Sequence, residues 1–230
     1  MSLFVIGDLH LSLGCDKPMD IFGGRWENYI EKLNEGLSLV KEGDTTVICG
    51  DLTWGMTMEE AEEDFQYIHR IPGRKIILKG NHDYWWVTAA KFQNFCKEHG
   101  FTDLHLLNNN AYFYGDTAIC GTRGWFYEEE KRGGAHDAKI LNRELMRLEA
   151  SLKAAGEKEK FCFLHYPPRY RGYTCPEILA LLEKYGVKRC YYGHLHSDSH
   201  KLAVEGMANG TDFRLVSADF IGFTPIKVLD

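Results

Sequence analysis

Five short apolar runs in this chain finish on the same kind of residue. Leu3–Ile6 runs into Gly7-Asp8-Leu9-His10, Thr46–Cys49 into Gly50-Asp51, and Lys75–Leu78 into Lys79-Gly80-Asn81-His82-Asp83. Phe161–Leu164 runs into His165, and Arg189–Tyr192 into Gly193-His194-Leu195-His196. Runs of this length, rich in β-branched and aromatic residues, read as strands. Ala111–Tyr114, Thr117–Cys120, Phe213–Val216 and Pro225–Leu229 add further strands. Helical spacing fills several gaps, at Trp26–Val40, Met58–Ile71, Val87–His99, Ile140–Ala155 and Pro176–Tyr185. In the first of these, Trp26, Tyr29, Ile30, Leu33, Leu37 and Val40 fall on one face, as in a helix packed on a sheet. Alternation of strand and helix makes the chain α/β.

The middle of the chain breaks this rhythm. Asn108-Asn109-Asn110 and Gly115-Asp116 separate short strands without room for a crossover helix, which predicts antiparallel hairpins over Leu104–Cys120. A purely parallel sheet is therefore disfavoured, and from Lys201 onward strands again come without helices. The architecture expected is two mixed β-sheets packed face to face with helices outside. With 44% hydrophobic residues, 230 residues suffice for one core, and no linker or repeat divides the chain. Residues 1–230 are expected to form a single domain, with Gly133-Gly134 as a loop within it.

In α/β sheets, sites are built in the crevice beyond the carboxyl ends of the strands. Asp8 and His10, like His194 and His196, stand two residues apart, which points both members of each pair to one side of an extended segment. With Asp51, Asn81 and His165 they form a set of seven nitrogen and oxygen donors without sulfur. That chemistry favours Mn, Fe, Zn or Ni, with Mn first, over copper(I) or an iron-sulfur cluster. Seven donors exceed one tetrahedral site and suit two metals sharing a carboxylate.

Charge and cysteine content narrow the function classes. Lys+Arg 27 against Asp+Glu 33 gives a net charge of -6, poorly suited to gripping a long nucleic-acid backbone. A small anionic substrate remains compatible if a metal supplies positive charge. The opening residues lack a basic leader and reach Asp8 too soon for a signal peptide, and no stretch approaches the roughly 20 apolar residues of a membrane span. A soluble cytoplasmic protein is expected. The seven cysteines form no CxxC pair, and Cys49, Cys120, Cys162 and Cys190 sit in apolar runs as small reduced core residues.

The series Asp8-x-His10, Gly50-Asp51, Gly80-Asn81-His82-Asp83, His165 and Gly193-His194-x-His196 resembles the signature of the calcineurin-like metallophosphoesterase superfamily. The resemblance runs from residue 8 to residue 196. It implies a four-layer αββα sandwich with a dinuclear metal site at one end. It implies that Asp8, His10 and His196 hold one metal, that Asn81, His165 and His194 hold the other, and that Asp51 bridges them. His82 is implied to contact the phosphoryl group or the leaving oxygen rather than a metal. On that assignment the two ions supply hydroxide at neutral pH and neutralise the phosphoester. His82 protonates the departing alkoxide, and Asp83 or another carboxylate orients its ring.

One departure from the superfamily is informative. Protein serine/threonine phosphatases carry a further aspartate and an arginine after the bridging aspartate, whereas here Asp51 is followed by Leu52-Thr53-Trp54-Gly55. This favours the broad prokaryotic phosphoesterase group. Arg123, Arg169 and Arg171 are candidates to meet phosphate oxygens. Trp54 and Trp85, with Tyr84, Trp86 and Trp125, are candidates for an aromatic wall that would suit a nucleotide-like group. His69, His99, His105, His136 and His200 show no convergent partners and are expected as surface or core residues. The function expected is hydrolysis of a small phosphomonoester or phosphodiester. A nuclease of the same superfamily and a non-catalytic protein-binding scaffold stand as alternatives, and oligomeric state is left open.

Overall fold

The computed structural model describes residues 1–125 and 135–230, so Gly133-Gly134 lies outside the described residues. In chain order the first half contains β1 (Leu3–Ile6), α1 (Tyr29–Leu37), β2 (Thr45–Ile48), α2 (Glu62–Arg70), β3 (Arg74–Ile77), α3 (Ala89–His99), β4 (Leu104–Leu106), β5 (Tyr112–Tyr114) and β6 (Thr117–Thr122). The second contains α4 (Ala135–Ala154), β7 (Glu159–Leu164), β8 (Arg169–Tyr170), β9 (Tyr173–Thr174), α5 (Pro176–Lys184), β10 (Arg189–Tyr192), β11 (Gly206–Ala208), β12 (Thr211–Leu215) and β13 (Ile226–Leu229). One sheet has the order β13-β1-β2-β3-β4, the other β11-β12-β10-β7-β6-β5, and β8-β9 forms a separate ribbon. Within each large sheet the central pairs are parallel and an antiparallel strand closes at least one edge.

Period-two alternation explains the layering. In β1, Leu3 and Val5 face the second sheet and join Val47, Ile76, Ile119, Phe161 and Phe163 in a core between the sheets. Phe4 and Ile6 face the other way, against Leu33, Leu37, Phe65, Ile68 and Phe92 of α1, α2 and α3. On the far side, Cys120, Cys162, Cys190 and Tyr192 pack against Leu148 and Leu152 of α4 and Ile178 and Leu182 of α5. The result is the four-layer αββα sandwich, and each fully buried Leu, Ile or Phe contributes about 1.5–3 kcal/mol to it. All seven cysteines are free thiols, and six of them are buried. Among the described residues, no helix is long and apolar enough to cross a membrane.

The expected hairpins over Leu104–Cys120 need correction. β4 pairs parallel with β3 at the edge of the first sheet, because α3 returns the chain as a crossover before it. Asn108-Asn109-Asn110 then carries the chain to the second sheet, where β5 and β6 form the one hairpin of this stretch. Three helices also begin later than the periodicity predicts, α3 by the two residues from Val87 to Ala89. α1 starts at Tyr29 rather than Trp26, after Asn28 adopts a left-handed φ of 54°, and α2 starts at Glu62 rather than Met58.

Register decides where the strand ends fall. Ile6 pairs with Ile48 and Ile48 with Ile77, while Leu164 pairs with Thr122 and Tyr192, and Tyr192 with Leu215. The parallel strands of each sheet thus stop level with one another. The sheets meet there: Gly7 N–H donates to the Val216 carbonyl at 2.8 Å, and Ala218 N–H to the Gly7 carbonyl at 2.9 Å. Everything that follows these strands is delivered to one rim.

Candidate metal centre

The seven donors come together at that rim. Ligand atoms of Asp8, His10 and His196 lie within 4.8 Å of one another, as do those of Asp51, His165 and His194. Asn81 joins the second group, its Oδ1 being 2.6 Å from His165 Nε2. Asp51 Oδ2 faces both groups, 3.7 Å from His10 Nε2 and 3.5 Å from His165 Nε2. Asp51 Oδ1 accepts the His82 backbone N–H at 2.8 Å.

Local backbone geometry aims these side chains. Asp8, His10, Asp51 and His194 all have left-handed φ values, of 59°, 47°, 49° and 73°. Such conformations cost of order 1–3 kcal/mol each and persist where surrounding structure over-determines them. The glycines beside the donors have a steric reason: a Cβ on Gly80 would overlap the Asp51 carboxylate, and one on Gly193 the Asp8 carboxylate. Ring orientation is fixed as well. His165 Nδ1 lies 3.1 Å from the Cys49 carbonyl and His196 Nδ1 3.0 Å from Asp219 Oδ1, so that in both rings Nε2 is the nitrogen turned inward. Trp26 sets its ring edge-on to both His10 and His196.

Electrostatically the rim is short of positive charge. Burial, followed by the charges of Asp83 and Asp8, pushes the Asp51 carboxyl well above its ordinary value. Burial holds His165 and His194 at about 3, and drives His10 well below 6.5 with help from His196. Burial opposes a charged His196 too, but Asp8 and Asp219 overcome it and raise that imidazole to about 10. Asp51 Oδ2 and His10 Nδ1 are buried without a hydrogen-bond partner among the described residues. Two carboxylates, an amide oxygen and four imidazoles, with an orphaned carboxylate oxygen between them, fit divalent cations.

Of the other expected site residues, His82 is at the rim and Asp83 is not a ring-orienting partner. The His82 ring lies against Trp54, at 4.4 Å between centroids. Asp83 is fully buried and accepts the backbone N–H groups of Asp51, Leu52 and Gly80 and the Trp85 indole N–H. Its carboxylate ties the Asp51 loop to the Asn81 loop, because buried N–H donors take it before His82 reaches it. Trp85 also needs correction: it is 1% exposed and packed on Phe65 and Phe92, which leaves no face for a substrate. Trp54 is half-buried, stacked on His10 at 4.9 Å with Lys17 Nζ 3.7 Å from its ring centre, so its contacts support two histidines. Arg169 lies over Phe213 rather than against the donors, and exposed Arg171 is in the β8–β9 turn. Arg123 stays near the rim, its carbonyl accepting the N–H groups of His165 and Tyr166.

Two residues were missed from the sequence. Asp219 holds His196 Nδ1 and also accepts the Ser197 backbone N–H at 3.0 Å. Burial works against its charge, yet these partners and His200 hold its carboxyl well below the usual range. His200 Nε2 is 3.1 Å from Asp219 Oδ2, so this histidine does converge on the site. The signal for Asp219 was present, since it follows the Phe213–Val216 strand as the other donors follow theirs. Asp64, also fully buried, accepts from Thr53 Oγ1 and from the Leu13 N–H and so joins the loops after His10 and Asp51.

The model of calcineurin-like phosphoesterases matches residues 1–198, and the chain belongs to that family. Family membership makes it a metal-dependent hydrolase acting on phosphoesters. Comparison with curated proteins gives no match. Among solved structures, the protein of unknown function AQ665 from Aquifex aeolicus is 16% identical with a TM-score of 0.51, over 98% of this chain and 95% of that one. TT1561 of Thermus thermophilus is 12% identical with a TM-score of 0.55, over 99% and 97%. At these identities the likeness is one of fold.

Proposed function

We propose that this chain hydrolyses a small phosphoester at a pair of divalent cations, manganese first among them. The observation that carries the reading is the facing of two donor groups across Asp51, whose Oδ2 is buried with no hydrogen-bond partner among the described residues. Asp8, His10 and His196 would hold one ion, Asn81, His165 and His194 the other, and Asp51 would serve both. When bound, such ions supply Lewis-acid charge to phosphoryl oxygens and lower the pKa of water.

The chain's own groups do the rest. The Cys49 carbonyl and Asp219 hold Nδ1 of His165 and His196, so each ring would turn Nε2 to its ion, His196 after losing the proton that Asp8 and Asp219 favour on it. Left-handed backbone at Asp8, His10, Asp51 and His194, held by the surrounding structure, sets in advance where these donors project. His82 is the proton donor to the leaving oxygen. Burial, then the charge of Lys17, holds it below its ordinary pKa, which eases release of a proton taken up beside an anionic substrate. Trp54 keeps the ring in place.

The test is hydrolysis of p-nitrophenyl phosphate and of bis-p-nitrophenyl phosphate by manganese-reconstituted protein. Turnover of at least one ester is expected, and the preferred one tells monoesterase from diesterase. His82→Ala should retain its manganese and lose about 10² to 10⁴ in kcat. Manganese binding with no turnover of either ester would overturn the proposal.

A further inference from the structure

A second polar cavity, of about 440 Å³, opens beside the second donor group. Its walls come from the ends of β3 and β6 and from two helices: Lys79 and Arg123 on the strand side, Lys91 in the first turn of α3, and Glu144 and Arg147 on α4. Lys79 stands one residue from Gly80 and two from Asn81, and the Arg123 carbonyl binds the backbone of His165. The cavity is thus built on the same strand ends as the donors.

Its charge is out of keeping with the chain. Among the described residues, four cations and one carboxylate line the cavity, in a protein of net charge -6. Glu144 is already engaged, accepting from Thr122 Oγ1 at 2.7 Å and Arg147 at 2.6 Å, with Arg123 at 3.7 Å. Arg123 Nε is buried with no hydrogen-bond partner among the described residues. The first turn of the 11-residue α3, capped by Thr88, adds the positive end of a helix to the same wall. Among the described residues lining the cavity, Lys79 and Lys91 add two further cations to the pair that Glu144 already meets. Guanidinium forks and a helix amino terminus are the groups that meet phosphate oxygens.

We infer that this cavity is a subsite for a second phosphoryl group, so that the substrate is a bisphosphorylated small molecule. The inference rests on the phosphoesterase reading above: one phosphoryl is cleaved at the donor rim, the other anchors the molecule.

The experiment compares monophosphate and bisphosphate members of the same sugar, glycerate and nucleoside series on the manganese-loaded full chain. At least one bisphosphate should have a KM about tenfold below its monophosphate, the worth of one charge-assisted hydrogen bond. Lys91→Glu should abolish that advantage while kcat/KM for p-nitrophenyl phosphate stays within about twofold, and Lys91→Arg should restore it. In metal-free protein at constant ionic strength, sulfate should raise the thermal midpoint of the wild type and not that of Lys91→Glu. Equal loss on both substrate classes, or no bisphosphate advantage together with no sulfate effect, would overturn the subsite. If no ester is hydrolysed, the phosphoesterase reading fails, and the sulfate comparison alone decides whether the cavity binds anions.

Discussion

Buried charge is handled in opposite ways at the two ends of the sandwich. At the amino ends of the parallel strands, Lys75 is 1% exposed, yet it pairs with Asp103 and donates to the carbonyls of Ile71 and Gly73. Asp103 is shared with His69. At the carboxyl ends, Asp8 and Asp51 are as deeply buried, and Asp51 Oδ2 meets no donor among the described residues. The first network is closed and the second is open to a cation. Cavity size points the other way: a cavity of about 1030 Å³ lies beside Asp103, at the closed end. Unbalanced burial, rather than empty volume, marks the rim proposed for the chemistry.

The largest expected effect is at the open end. Asp51→Asn should lower kcat/KM by more than about a hundredfold, since even outer partners of metal ligands are worth 10–100-fold, and elemental analysis should show both sites depleted. Full metal content with full turnover would break the comparison. At the closed end, Asp103→Ala should cost about 3 kcal/mol in denaturant unfolding, because it orphans the buried Lys75 charge, while turnover of the folded fraction is unchanged. A loss of turnover there would mean that the two ends are coupled.

Two smaller effects sharpen the contrast. Asp219→Asn should weaken manganese affinity by about 10–100-fold, with activity recovered at high manganese, as expected of a positioning residue behind His196. Asp64 is a buried carboxyl with hydrogen-bond donors and no cation, raised by burial to about 6. The folded state therefore holds its proton more tightly than the unfolded chain. Relative to Asp64→Asn, the wild type should gain about 1 kcal/mol of stability as pH falls from 7 to 5, and lose it as pH rises through 6. A difference independent of pH would show that Asp64 ionises freely.

Much of the rim was legible because parallel strands in register must release their next residues at one level. Asp8, Asp51, Asn81, His165 and His194 could be read from strand ends alone, without any knowledge of which strands are neighbours. Asp219 obeys the same rule but stands three residues past Val216 with no glycine beside it, and so resembled an ordinary tail residue. Asp83 and Trp85 show a different limit. Their sequence position beside His82 suggested chemistry, whereas three-dimensional competition among buried donors gave both a structural task. Leu104–Leu106 was misread because pairing direction depends on the crossover before a strand as well as on the turn after it. Left-handed backbone at Asp8, His10, Asp51 and His194 falls on residue types that tolerate it, but type alone did not tell which of the chain's Asp and His residues would adopt it.

Gly80 and Gly193 carry no group that reacts, yet each leaves room that a carboxylate fills. A methyl introduced at either would move an oxygen donor outward by its own width. Mutational scans that look for lost chemistry would then register alanine at these two positions as though a ligand had been removed. The reach of this site is set as much by where the chain carries only hydrogen as by the side chains that line it.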